Sequence, residues 1–194
     1  MNGFGAGVAI TGCGSATPEQ FLSNEELSQI VETSDEWIKS RTGIGKRHLA
    51  DQSVSLSQLA AQAAIKALEM AQVSPRDIDL ILLATSTPDD LFGSAAQVQS
   101  QIGANRAIAF DLTAACSGFL VALVTATQFI RTGTYRNVLV IGAEVLSRWV
   151  DWNDRATCVL FGDGAGAVVL EGQMGEGTKA DRGVLAFSLR ADGT

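Results

Sequence analysis

One histidine, three cysteines, three prolines and a single tyrosine are spread thinly over 194 residues. Cys13, Cys116 and Cys158 are odd in number and no two stand in C-x-x-C spacing, so neither a disulfide framework nor a zinc site is indicated, and no metal site is expected. A reduced, cytoplasmic setting fits. With His48 as the sole histidine, a cysteine nucleophile has only one candidate imidazole in this sequence. Basic residues are scarce too: 14 Lys and Arg against 21 Asp and Glu give a net charge of −7, which argues against a nucleic-acid partner. No apolar run reaches the roughly 18 residues needed to cross a bilayer, and residues 1–7 carry no early Lys or Arg, so neither a membrane span nor a secretory lead is read. What is present is 46% hydrophobic and 18% charged, the balance of one large globular domain with a real core.

Residues 107–119 read Ala-Ile-Ala-Phe-Asp-Leu-Thr-Ala-Ala-Cys-Ser-Gly-Phe, and an apolar run continues to Arg131. A short strand therefore leads through a small-residue turn to Cys116, which opens a long helix where unpaired N–H groups and the helix dipole favour negative charge. That helix is apolar nearly all round, so burial on every side is expected, with Cys116 deep and reached through a tunnel. A buried structural cysteine is the competing reading.

Around this centre the periodicities alternate. Strands are expected over residues 7–12, 79–85, 108–112, 137–142, 167–171 and 183–190, with glycine turns at 12–18 and 162–166. Residues 157–161 read as a short strand or a helical turn. Helices are expected over 25–32, where Ser23 and Glu26 have capping-box spacing, then from Thr33 through Arg41, over 53–71 on an alanine-rich face, over 94–102 and over 116–131. Residues 42–48 and 86–93 read as loops. The glycine turn at 12–18 invites a dinucleotide-binding reading, which fails for want of a long helix directly after it. Strands and helices in this order give an α/β layered fold: a mixed, mostly parallel sheet with helices on both faces and one buried central helix.

Positive charge is concentrated at Lys39, Arg41, Lys46 and Arg47, with Trp37 as an aromatic plate nearby. Such a patch suits an adenine nucleotide, and equally a solvated charged face.

The segments Thr33-Ser-Asp-Glu-Trp-Ile38, Arg41-Thr-Gly-Ile44 and Arg47-His48, then Ala114-Ala-Cys-Ser-Gly-Phe119, then Asp154-Arg155 and Phe161-Gly-Asp-Gly-Ala-Gly-Ala167, stand in this order. Together they resemble β-ketoacyl-acyl carrier protein synthase III, of the thiolase-like superfamily. The resemblance implies the initiating step of fatty-acid synthesis. Acetyl-CoA, or another short acyl-CoA, acylates Cys116, and malonyl-acyl carrier protein loses CO2 and attacks the thioester. It further implies that Cys116 is the nucleophile and its N–H half of the oxyanion hole. Trp37 and Arg155 would sandwich the adenine of CoA, Thr33 and Arg41 would contact the nucleotide, and Phe92 would cross a homodimer interface to wall the partner's acyl pocket. Acyl-CoA is substrate, so no cofactor is implied. Gly93 stands where the family commonly has proline, a departure that bears on acyl-chain preference.

Members of the family have two similar halves, so residues 1–194 read as the N-terminal thiolase-like half, with the C-terminal half and its histidine and asparagine absent. His48 reads as structural, Cys13 and Cys158 as small core residues, and Trp149 and Trp152 as packing at the tunnel mouth. Two other readings stand beside this one: a polyketide or signalling-molecule starter synthase of the same superfamily, and a non-catalytic half-domain acting as an interaction partner.

Overall fold

The structure, a computed structural model, describes residues 7–173 and 183–192. Its centre is a five-stranded sheet built from β1 (Gly7–Ala16), β4 (Leu80–Ala84), β5 (Ile108–Leu112), β6 (Asn137–Val145) and β7 (Asp163–Gln173), in the order β1-β7-β6-β4-β5. β4 pairs in parallel with both β5 and β6, whereas β7 runs antiparallel to β6 and to β1. The sheet is thus mixed, as expected, though half rather than most of its pairings are parallel. The antiparallel half comes from β7 alone, which runs against both of its neighbours.

Helix α3 (Leu56–Ala71) covers one face and α5 (Gly118–Arg131) the other. Strand β4 shows why both are needed: Ile81 and Leu83 pack with the α3 cluster, Leu80, Leu82 and Ala84 with the α5 cluster, and all five are buried. A continuous apolar strand is what a sheet covered on both faces requires. α3 starts at a capping box, Ser55 with Gln58, and the Asp89 carboxylate accepts the N–H groups of Leu56 and Ser57.

Several local expectations are corrected. The glycines at 12 and 14 stand within β1 instead of forming a turn. A Cβ on Gly12 would lie 2.2 Å from the carbonyl oxygen of Ala67, and one on Gly14 2.3 Å from that of Ala63, so the glycines mark where α3 lies against the strand. Likewise Gly164 and Gly166 belong to β7, which begins at Asp163. The first helix is one turn, α1 (Asn24–Leu27), and Lys46–His48 form a strand, β3, paired antiparallel with β2 (Phe21–Ser23) where a loop was expected. Residues 183–190 form no regular strand. They hold on through the Val184 N–H to the Val8 carbonyl and the Arg131 guanidinium to the Val184 carbonyl. Leu185, Phe187 and Leu189 on that segment face outward, so it has no buried face to fix a register.

The largest correction concerns α5. Gly118, Ala122, Ala126 and Ile130, on the i, i+4 stripe that faces the sheet, are buried with Thr127, while Leu120 is 55% exposed and the remaining apolar side chains are half-covered. The sheet can bury only one side of the cylinder.

Candidate active site

Cys116 lies on a 3-10 turn (Ala115–Ser117) between β5 and α5 rather than on the first residue of the helix. Ala115 enters this turn at φ +46°, a left-handed conformation that non-glycine residues seldom adopt and that recurs at functional sites. The thiol is exposed, not deep. It lines a pocket of about 580 Å3 at the C-terminal ends of β4 and β6, walled by Phe119 and Phe161 and floored by Ala84, Gly142 and Ala143. The small floor is enforced: a Cβ on Gly142 would come within 3.3 Å of the Phe119 ring. The expected tunnel is therefore an open basin, for the same reason that α5 is half-covered.

Two carboxylates border this basin, and both are engaged with the backbone. Glu144 accepts from the Ser86 N–H at 2.8 Å and the Thr87 hydroxyl at 2.6 Å. Asp163 is buried and accepts from the Ala50 N–H, the Ser147 N–H and the Ser147 hydroxyl, which ties the segments after β3 and β6 to the start of β7. They hold the walls, and neither is aimed at the thiol by any hydrogen bond. His48 is occupied as well. Its Nδ1 sits 2.7 Å from the Pro18 carbonyl, which can only accept, so Nδ1 carries the proton, and the residue is outside the lining of the basin.

The second group of expected residues assembles elsewhere in the fold. Trp37 and Arg41 sit on α2 (Asp35–Thr42), which begins with the Ser34 hydroxyl accepting the Trp37 N–H. Arg155 opens α6 (Arg155–Cys158), whose N-cap Asp154 accepts from Ala156 N–H and the Thr157 hydroxyl. These bonds lower the Asp154 carboxyl below its ordinary value, the Thr157 hydroxyl most, then the Ala156 N–H. Across the two helices the Arg155 guanidinium carbon stands 4.1 Å from the centre of the Trp37 ring, with that of Arg41 at 5.5 Å. Thr33, just before α2, has a buried hydroxyl with no hydrogen-bond partner among the described residues, an unpaired donor beside this plate. Two helices more than 100 residues apart thus bring Trp37, Arg41 and Arg155 together, with Thr33 two residues before the first of them.

Phe92, expected at a partner's pocket rather than in this chain's own, stands apart from both groups. Phe92 is 96% exposed at the end of the 86–93 loop, outside the lining of the basin, with Leu91 beside it equally bare. Gly93 follows at φ +87°, beyond the reach of proline's ring, and a Cβ there would press on the Asp111 carboxylate, which accepts the Ser94 and Ala95 N–H groups at the start of α4 (Ala95–Ile102). The departure from proline is therefore a different loop geometry. Cys13 is exposed against Met70 and is no core residue, while Cys158 is buried as expected. Burial raises the Cys158 thiol above its usual value, with Arg47 opposing. Trp149 is largely exposed, and Trp152 packs into the small cluster of Leu27, Ile38, Cys158 and Val159 rather than at a tunnel mouth.

Arg47, counted with the surface cations from the sequence, is 3% exposed. In a three-residue strand the pleat turns Lys46 outward and Arg47 inward, a period too short to read before the pairing with β2 is known.

Among the described residues no helix is long and apolar enough to cross a membrane, and no cluster of three His, Cys, Asp or Glu could hold a metal ion.

The sequence profile of 3-oxoacyl-[acyl-carrier-protein] synthase III matches residues 110–193. The whole chain is 88% identical to the β-ketoacyl-[acyl-carrier-protein] synthase III of Microcystis aeruginosa and covers 57% of that protein. Among solved structures, the 3-oxoacyl-[acyl-carrier-protein] synthase III of Aquifex aeolicus superposes with a TM-score of 0.82 at 53% identity, over 85% of this chain and 54% of its own. The priming β-ketosynthase of the R1128 polyketide pathway superposes equally well, TM-score 0.82, at 36% identity over 86% of this chain and 50% of its own. The chain spans little more than half the length of the curated relatives it matches.

Proposed function

We propose that this chain, similar over its whole length to β-ketoacyl-acyl carrier protein synthase III, forms the N-terminal, nucleophile-bearing half of the condensing enzyme that starts fatty-acid synthesis. The observation that carries the reading is the pairing of a thiol in an apolar-walled basin with a separate cation–aromatic plate. One site fits a short acyl group, and the other an adenine. Acyl-CoA is the substrate that has both, and no other cofactor enters the reaction.

In the proposed first step the Cys116 thiolate attacks the thioester carbon of acetyl-CoA, forming a new C–S bond as the carbonyl oxygen takes up negative charge. The Cys116 N–H donates toward that oxygen. When the carbonyl re-forms, the CoA thiolate leaves and takes a proton, and the acetyl group stays on Cys116. In the second step malonyl-acyl carrier protein loses CO2, and the electron pair of the broken C–C bond becomes the carbanion that attacks the acetyl carbon. The Cys116 thiolate departs. The donors that stabilise this carbanion are assigned to the C-terminal half, since Glu144 and Asp163 are engaged with the backbone and His48 lies outside the basin lining. Phe92, projecting bare into solvent, is assigned to the partner subunit's acyl pocket in a cytoplasmic homodimer.

The polyketide-priming likeness keeps a starter synthase as the runner-up, and the 88% identity to a β-ketoacyl-[acyl-carrier-protein] synthase III sets it second. Incubating the complete enzyme with labelled acetyl-CoA, malonyl-acyl carrier protein withheld, should leave one acetyl group on Cys116 by peptide mapping. A label on Cys13 or Cys158 instead would overturn the assignment. Cys116→Ser should abolish condensation.

A further inference from the structure

Among the described residues Arg47 is a buried cation with no carboxylate partner, an arrangement that costs free energy unless its donors are placed with care. Burial depresses its guanidinium from the usual value, the Cys158 thiol opposes this only in part, and its hydrogen bonds are all to neutral oxygens. Nη2 donates to the Asn24 side-chain oxygen at 2.7 Å and to the Val159 carbonyl at 3.3 Å, Nη1 to the Leu22 carbonyl at 3.4 Å, and Nε has no partner. Val159 is the C-cap of α6, the helix that carries Arg155.

Asn24 continues the connection on the other side. It is fully buried, and its amide nitrogen donates to the Asp35 carboxylate at 2.9 Å and to the Ile44 carbonyl at 2.8 Å. Asp35 is the first residue of α2, two positions before Trp37, and Ile44 follows that helix directly. One short polar chain, Arg47 to Asn24, is thus bonded at one end to the helix of Arg155 and at the other to both ends of the helix of Trp37. Beneath it Leu27, Ile38, Cys158 and Val159 fill the apolar gap, which has no directional preference of its own.

We propose that Arg47 and Asn24 are positioning residues that set the separation and tilt of the Trp37 and Arg155 plates and hence the affinity for the nucleotide end of acyl-CoA. This rests on the reading of that plate as an adenine site. A guanidinium fork supplies this geometry and an ammonium does not, so Arg47→Lys is not conservative here. Misplacing a binding surface remote from the reacting carbon weakens ground and transition states alike, which moves KM and leaves kcat.

The test compares two thioesters in the complete enzyme: acetyl-CoA, and S-acetyl-N-acetylcysteamine, which lacks the nucleotide. Arg47→Lys and Asn24→Asp, the second keeping the acceptor for Arg47 while losing the donor to Asp35, should raise KM for acetyl-CoA about tenfold and change kcat/KM for the truncated thioester less than about twofold. Asp35→Ala, at a half-exposed position where folding is safe, should give the same preference at about threefold. Equal losses on both thioesters in all three variants would show a merely structural role and overturn the proposal, as would unchanged KM for acetyl-CoA. Trp37→Ala and Arg155→Ala separate the two layers of the reading. If they leave KM for acetyl-CoA untouched, the adenine site itself is wrong; if they raise it while the Arg47, Asn24 and Asp35 variants do not, only the positioning role falls.

Discussion

Helices α3 and α5 flank the same sheet and are both rich in small and apolar residues, yet they end in different states. On α3, Leu56, Leu59, Ala60, Ala63, Ala64, Ala67 and Leu68 are all buried, and Gly12 and Gly14 let its backbone settle directly on β1. On α5, the stripe from Gly118 to Ile130 is buried, while Leu120 stands bare and Val121, Leu123, Val124 and Phe129 are half-covered. The difference separates two duties. α3 closes a core that this chain completes by itself, and α5 presents the cysteine turn on a helix whose outer face still seeks cover.

The largest effect expected from this contrast is on activity and solubility together. Residues 1–194 expressed alone should release no CO2 from malonyl-acyl carrier protein and should sediment as aggregates or oligomers, because the uncovered side of α5 adds to exposed Leu91, Phe92, Ile108 and Phe110. A monomer that turns over substrate would overturn both the half-enzyme reading and the account of α5.

Substitution then sharpens the contrast. Gly12→Ala places a methyl where the Ala67 carbonyl already lies and should cost about 3 kcal/mol by denaturant unfolding, since backbone rather than a flexible side chain must move. Leu120→Gln on the open side of α5 should cost less than about 0.5 kcal/mol in this chain. If α5 is covered in the complete enzyme, the same Leu120→Gln change should cost about 2 kcal/mol there, and equal costs in both settings would argue against a covering layer.

How much of this was legible follows from what each signal needs. The α3 face was readable because sixteen residues carry a clean helical period, and β4 because five apolar residues in a row fit only a two-faced strand. The glycines at 12, 14, 164 and 166 misled, since a glycine forced by an approaching helix, as at 12 and 14, or one merely carried within a strand, as at 164 and 166, looks the same in sequence as one that turns the chain. At the site, Cys116 and the set of Thr33, Trp37, Arg41 and Arg155 were named from motifs, and the fold brings the latter four together. Arg47 and Asn24 were missed as partners because their link depends on the β2–β3 pairing, and a three-residue strand carries no periodic signature.

The Trp37–Arg155 plate, proposed to take the nucleotide, stands apart from both helix layers, so it should respond independently of them. Trp37→Ala and Arg155→Ala should raise KM for acetyl-CoA by an amount equivalent to about 1–3 kcal/mol, with kcat nearly unchanged and the unfolding midpoint little affected. A fall in kcat with KM constant would move these residues out of the ground-state binding role and into the chemistry.

The smallest effect concerns the cap beneath Arg155. Asp154 accepts the Ala156 N–H and the Thr157 hydroxyl, and its carboxyl is held below its ordinary value by those bonds. A carboxyl lowered in the folded state stabilises the fold in full above its unfolded value of roughly 3.9, and that contribution fades as pH falls through the lowered folded value. Asp154→Asn removes the charge without much change of shape, so the difference in melting temperature between wild type and variant isolates this one group from Asp35 and the other acids. The difference should be small and constant from pH 7 down to about 5, then shrink toward zero as pH approaches 3. Because the residue is only partly covered, salt should diminish it as well. A difference that grows on acidification would mean that the carboxyl is bound more tightly when protonated, and that α6 is held by something other than its N-cap.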